Sequence, residues 1–193
     1  MGELTASDVS IATNGRVPDD GPTGKTTRRL TAALAAARGY CGWPVSPVMT
    51  DVTITMDGPG GCLLSVRTLK VIGTPTVTED GRTVDARWSA DKPGLARKRN
   101  GGRWSGEYGA IQVTLTHGFS ETEAADWRDA ICSMVEEMTL RDKVDASTGR
   151  SARDLTRKKV DDVELDWAAL RSSADKAVFG VAATLDRYRI PAF

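Results

Sequence analysis

The sequence predicts an α+β fold, with helices flanking an inserted antiparallel β-sheet, an extended N-terminal arm, and a C-terminal helix plus tail. Two observations predict it. Apolar residues recur at helical spacing near residue 30 and again after residue 125, whereas between residues 51 and 119 they alternate with polar ones at a period of two. Strands and helices do not alternate one for one, which argues against the parallel sheets of nucleotide-binding folds.

Residues 1–24 are rich in Gly, Pro, Asp and Thr, including Pro18-Asp19-Asp20-Gly21-Pro22, and are expected to form an extended arm with little internal packing. A first helix is expected over residues 26–38, where Leu30, Ala33, Leu34 and Ala37 share a face, with Gly39 and the Gly42-Trp43-Pro44 turn stopping it. Val52, Ile54 and Met56 alternate with Thr53 and Thr55. The turn Asp57-Gly58-Pro59-Gly60-Gly61 then leads into Leu63-Leu64-Ser65-Val66, which reads as a hairpin. A turn at Asp80-Gly81 joins residues 76–78 to 83–84, and another at Asn100-Gly101-Gly102 follows residues 95–99. The last strand, residues 110–116, puts Ile111, Val113 and Leu115 on one face and Gln112, Thr114 and Thr116 on the other. One sheet face therefore meets solvent or another chain.

Ser120-Glu121-Thr122-Glu123 has the form of a capping box, and Trp127, Ile131, Met134, Val135 and Met138 follow as one apolar stripe. Residues 142–159 are polar, Ser147-Thr148-Gly149-Arg150 is expected as a flexible joint, and residues 163–167 as a short exposed strand. A last helix over residues 173–187 carries Ala177, Val178, Val181 and Leu185, ends before Pro191 and leaves a short tail. The expected organisation is an arm (1–24), a helix–sheet–helix core (25–140), and a C-terminal arm with terminal helix and docking tail (141–193).

With 26 acidic and 26 basic residues among 193, the chain has no general attraction to nucleic acid or membrane, so any electrostatic role belongs to local patches. No apolar run approaches the roughly 18 to 20 residues of a membrane span. Residues 1–24 lack the apolar centre of a signal peptide, and the protein is expected in the cytosol where it is made. Cys41, Cys62 and Cys132 are odd in number and widely spaced, which argues against a disulfide framework or zinc site. They are expected as buried small apolar residues.

Signatures of chemistry fail one by one. Gly21-Pro22-Thr23-Gly24-Lys25-Thr26 looks like a phosphate loop, but its first glycine falls at Asp19 and no apolar strand precedes it. His117, the single histidine, stands at a strand end beside Gly118 with no nucleophile motif nearby, and is expected as a hydrogen-bonded strand-end residue. Asp19-Asp20, Glu136-Glu137 and Asp161-Asp162 lack calcium-loop spacing. No catalytic residue, metal or cofactor is expected.

Charge is unevenly distributed along the chain. Residues 82–104 hold seven basic and two acidic residues, and residues 119–145 hold eight acidic and three basic. Two opposite patches suit head-to-tail packing of identical subunits, which closes into a ring where the rotation permits; the alternative is two ordinary charged surfaces. Arg97, Lys98, Arg99 and Arg103, near Trp88 and Trp104, are candidates for a subunit interface or for phosphate contact without base readout.

Several runs occur in a familiar order: AAARGYCGWPVSP at residues 35–47, Met56-Asp57-Gly58-Pro59-Gly60-Gly61, Tyr108-Gly109, Thr116-His117-Gly118-Phe119, and Leu185-Asp186-Arg187-Tyr188-Arg189-Ile190-Pro191. They resemble the head-to-tail connector adaptor proteins of actinobacterial long-tailed phages (siphophages). The resemblance covers residues 28–129 and the last ten, while residues 141–175 match only in general character. Gly39 stands where a basic residue is expected, and residues 150–159 are unusually charged.

The resemblance implies a non-enzymatic virion protein forming a ring, usually of twelve copies, beneath the portal. A stopper or tail-completion protein meets its other side, and double-stranded DNA passes through its lumen non-specifically. Its place would be the head–tail neck, and the host cytoplasm before assembly. The helix and tail of such adaptors dock on the portal, which marks Leu185, Tyr188, Arg189, Ile190, Pro191 and Phe193. A detached helix with a free apolar tail would need a partner groove, unless the tail folds back on its own core. A small non-sequence-specific nucleic-acid-binding module using residues 82–103 is the alternative function, and an enzyme would rest on His117 alone.

Overall fold

The computed structural model describes residues 2–148, 157–160, 163–166 and 173–190. In chain order its elements are α1 (Ala6–Ala12), α2 (Lys25–Cys41), β1 (Met49–Met56), β2 (Leu64–Ser65), β3 (Val71–Glu79), β4 (Arg82–Val84), β5 (Ala86–Trp88), β6 (Leu95–Lys98), β7 (Ile111–His117), α3 (Ala125–Thr148), β8 (Arg157–Val160), β9 (Val163–Asp166) and α4 (Ser173–Asp186). The fold is α+β. The chain divides into two compact units, a helical one (Leu4–Tyr40 and Ala125–Arg187) and a sheet one (Met1–Glu3, Cys41–Ala124 and Tyr188–Phe193).

In the helical unit, α2 buries Leu30, Ala33, Leu34 and Ala37, the face its spacing predicts. It runs through Gly39 and stops at Gly42, whose φ of +81° is a left-handed conformation that glycine adopts without a steric penalty. The N-terminal segment departs from expectation, because residues 6–12 form a helix instead of an extended arm. Thr5 and Asp8 close a capping box: Asp8 N donates to Thr5 Oγ1 at 3.2 Å and Thr5 N to Asp8 Oδ2 at 2.8 Å. A search for Glu or Gln at the third position passes over this shorter acid. Val9 and Val17 are buried, which gives the segment an apolar anchor despite its polar composition.

The apolar stripe of α3 is buried throughout, and α3 packs against α1 and α4. Of the expected joint, Ser147 and Thr148 belong to α3, while Gly149 and Arg150 lie outside the described residues. The expected strand is β9, paired antiparallel with β8, a partner that the sequence did not announce.

In the sheet unit, β7 is central to a four-stranded antiparallel sheet of order β1-β7-β3-β4. Val113 stands opposite Ile54 of β1 and Val77 of β3. A second sheet has the order β2-β6-β5. Leu64, Val66, Val77, Ala96, Trp104, Ile111, Val113 and Leu115 form the shared core. The β3–β4 reversal at Asp80-Gly81 has φ of +49° and +76°, the two positive values that a type I′ turn demands.

The expected hairpin between residues 52–56 and 63–66 does not form: β1 pairs with β7, and β2 pairs with β6. Residues 57–61 are held alongside residues 105–107, where Gly58 N donates to Glu107 O and Gly60 N to Ser105 O, both at 2.9 Å. A Cβ on Gly58 would stand 2.1 Å from Ser105 O, so the glycine permits a close backbone approach here rather than a chain reversal.

Candidate functional site

The surfaces singled out by the sequence are the C-terminal tail, the basic and acidic runs, the phosphate-loop lookalike and His117. The tail is stitched down at its start. Trp43 Nε1 donates to Tyr188 O at 2.7 Å, and Ile190 N donates to Cys41 O at 3.0 Å. The Tyr188 ring meets Phe119 edge-on at 5.4 Å, and Phe119 meets Trp43 edge-on at 5.8 Å.

The expectation of a tail standing free is therefore corrected for its first residues, since Leu185 is fully buried and Tyr188 only 8% exposed. Arg189 is exposed and Ile190 half-buried; Pro191 and Phe193 lie outside the described residues. The physical reason is the buried indole of Trp43. Its N–H requires an acceptor, and the tail backbone supplies one.

The phosphate-loop lookalike is filled by its own side chain. Both Asp20 carboxylate oxygens accept from Thr26 N, at 3.2 and 3.1 Å, and the Thr26 amide holds this carboxyl below the ordinary carboxylate range. A Cβ on Gly24 would lie 2.0 Å from Asp20 Oδ1. The place where a phosphate would meet the helix start is taken by Asp20.

His117 is buried at the end of β7, with Nδ1 3.3 Å from Thr68 Oγ1 and its ring 6.2 Å from that of Trp43. Thr68 Oγ1 also donates to Lys70 O at 3.0 Å and accepts from Lys70 N at 3.3 Å. Burial lowers the imidazole pKa by disfavouring the charged ring. Cys41 and Cys132 are buried, and burial pushes the Cys132 thiol up to about 11; Cys62, expected inside, is exposed. Among the described residues no group of three or more His, Cys, Asp or Glu could hold a metal ion, and no helix is long and apolar enough to cross a membrane.

The acidic run is largely spent within the chain. Glu123 pairs with Lys70 in the sheet unit, and in the helical unit Glu136 pairs with Arg16, Asp126 with Arg187, Glu137 with Arg141 and Asp142 with Arg29. Glu121 Oε1 accepts from Gly2 N at 3.0 Å.

The basic run is only partly spent. Lys98 pairs with Glu79 and lies over the Trp104 ring at 5.1 Å, Arg99 pairs with Asp85 at 2.9 Å, and Arg103 Nε donates to Gly60 O at 3.0 Å. Of the four candidates, Lys98 is a half-buried fastener between strands, Arg99 has an ion-pair partner and Arg103 a backbone acceptor, and Arg97 is exposed with no hydrogen bond or ion pair among the described residues. Residue-by-residue reading missed Arg87, which pairs across the ladder with Arg97. The signal was present in the alternation of Arg87 with the half-buried Ala86 and Trp88.

No protein-family model and no curated protein matches the chain. Solved structures of chains from particle necks share its α+β fold. One, from the neck of an empty GTA (gene transfer agent) particle computed with C6 symmetry, superposes with a TM-score of 0.55 at 14% identity, covering 100% of this chain and 95% of that one. Another, from the neck of a native GTA particle computed with C12 symmetry, gives a TM-score of 0.52 at 14% identity, covering 100% and 94%. At that identity the likeness is one of fold.

Proposed function

We propose that this chain is a non-enzymatic adaptor of a phage-like neck, forming a ring beneath the portal, joining the DNA-filled head to the stopper or tail-completion protein, and passing the genome through its lumen. The observation that carries the reading is the fold likeness to neck chains along the whole length, TM-scores 0.55 and 0.52, in symmetric particles. The resemblance of residues 28–129 to adaptors of actinobacterial siphophages supports it independently. Twelve copies is the subunit number that resemblance favours, and the protein would be soluble in the host cytoplasm before joining the virion.

Portal docking in this reading falls to the end of the tail, Arg189, Ile190, Pro191 and Phe193, because Leu185 and Tyr188 already contribute to burial within the chain. The test is mass by light scattering and ring formation by negative-stain imaging, for the protein alone and mixed with its portal. Rings that stack on portal, and lose it when residues 189–193 are deleted, are the expected result. A protein that stays monomeric and ignores portal would overturn the adaptor reading. The second reading, a small non-sequence-specific nucleic-acid-binding module, is favoured by one observation only: the uncommitted arginines of β5 and β6.

A further inference from the structure

We infer that the outward face of the β5–β6 ladder is a contact for the phosphate backbone of duplex DNA, made by Arg87 and Arg97 together. This deepens the adaptor reading, and rests on it only for where in an assembly the contact would be made.

The two arginines are register partners in the antiparallel ladder. Hydrogen bonds from Ser89 N to Leu95 O, 2.8 Å, and from Arg99 N to Asp85 O, 2.9 Å, lie two residues to either side. The Arg87–Arg97 pair is thus also of the hydrogen-bonded kind, with Cα atoms about 5.5 Å apart and both side chains on one face. Like charges directly opposite each other destabilise a sheet. Both residues are exposed and neither forms an ion pair among the described residues, and Asp85, which flanks Arg87, is paired with Arg99. Arg87 and Arg97 line a shallow hollow with Lys92, a third cation, and one carboxylate, Asp91.

The opposite face is firmly held. Ala86, Trp88 and Ala96 face the core, and Lys98 is tied to Glu79 and to the Trp104 ring. The like-charged pair is therefore kept in register by packing on one side and presented to solvent on the other. No carboxylate of the described residues pairs with it, which leaves both charges available to an external anion.

The acidic run of residues 119–145 on a second copy is a poor match, because most of it is consumed by Lys70, Arg16, Arg187, Arg141 and Arg29. A DNA duplex, with one charge per roughly 1.7 Å of axis, supplies adjacent anions to a paired cation. Contacts from arginines to phosphate fix position without reading sequence.

The test is fluorescence anisotropy with a short labelled duplex, from about 50 to 200 mM salt. The R87Q/R97Q variant is expected to lose affinity at least tenfold at the low-salt end and to lower the salt slope by about 2, roughly 0.9 for each phosphate contact. The control K25Q/R28Q removes the same charge from α2 and is expected to stay within twofold of the parent. Since R87Q/R97Q relieves a repulsion, its melting temperature should not fall, and this separates lost contact from lost fold. Equal loss in both variants, an unchanged slope in R87Q/R97Q, or competition by polyglutamate as effective as by DNA would each overturn the inference. Light scattering of the same samples with portal added keeps the two ideas apart: rings on portal without DNA binding sink only the phosphate contact, and DNA binding by a protein that stays monomeric and ignores portal supports it while sinking the adaptor.

Discussion

The helical unit and the outer face of the β5–β6 ladder handle charge in opposite ways. Along α3, Asp126, Glu136, Glu137 and Asp142 each meet an arginine of their own unit. On the ladder, Arg87 and Arg97 face each other with no carboxylate between them. Surface ion pairs contribute little net stability, so the first pattern chiefly sets geometry and removes charge from the surface. The second leaves charge available at a small cost to the fold. The comparison teaches that the raw count of charges in a run is a poor guide to a binding surface, because what counts is the charge left after the chain has paired its own.

The comparison can be broken first at the core. If packing and not ion pairing holds the helical unit, Trp127→Ala should destabilise it by about 3–5 kcal/mol in urea unfolding, since the side chain is almost fully buried in the α3 stripe. In the sheet unit, Gly58→Ala should cost about 1–3 kcal/mol through its clash with Ser105 O, read by the same titration. A neutral Gly58→Ala would mean that the loop of residues 57–61 yields easily and does not set the register.

Next comes pH. The Lys70 ammonium and the Ser120 amide hold Glu123 at about 2, against an ordinary value of 4.5. Because the folded value is the lower one, this carboxylate favours the fold above pH 4.5, and its contribution fades as pH falls towards 2. Glu123→Gln should flatten the fall in stability across that window, measured by thermal melts at a series of pH values. An unaltered profile would show the Lys70–Glu123 pair to be screened in solution.

The smallest effects discriminate most finely. A double-mutant cycle on Asp126 and Arg187 should return a coupling of about 0.2–1 kcal/mol that shrinks with added salt. Arg87→Gln alone should leave stability unchanged or raise it by a few tenths of a kcal/mol, up to about 1, because it removes a like-charge neighbour. A destabilised Arg87→Gln would reveal a compensating partner and remove the contrast between the two regions.

Much of the local structure was legible without coordinates. The α2 face, the β7 alternation, the Ser120–Glu123 box, the α3 stripe and the Asp80-Gly81 turn all depend on residues within a few positions of one another, and such patterns are written directly in the order of side chains. What was misread has a different cause in each case. The N-terminal helix was hidden by its composition, although Thr5 and Asp8 carried its start. The false hairpin at residues 57–61 came from taking glycines as a reversal when they serve a close approach to residues 105–107. The anchoring of the tail has no local signature, because the acceptor that the Trp43 indole uses lies 145 positions away along the chain.

The sequence by itself determined the α+β class, the position of each strongly periodic helix and strand, and the presence of unequal charge along the chain, because propensity, periodicity and turn chemistry act over short range. Only the tertiary structure decided which strand β1 would pair with, that Tyr188 would lie against Phe119, and which of the basic residues would keep an unpaired charge. Those outcomes depend on contacts between residues far apart in the chain, where many partners are chemically equivalent and the choice among them is made by packing.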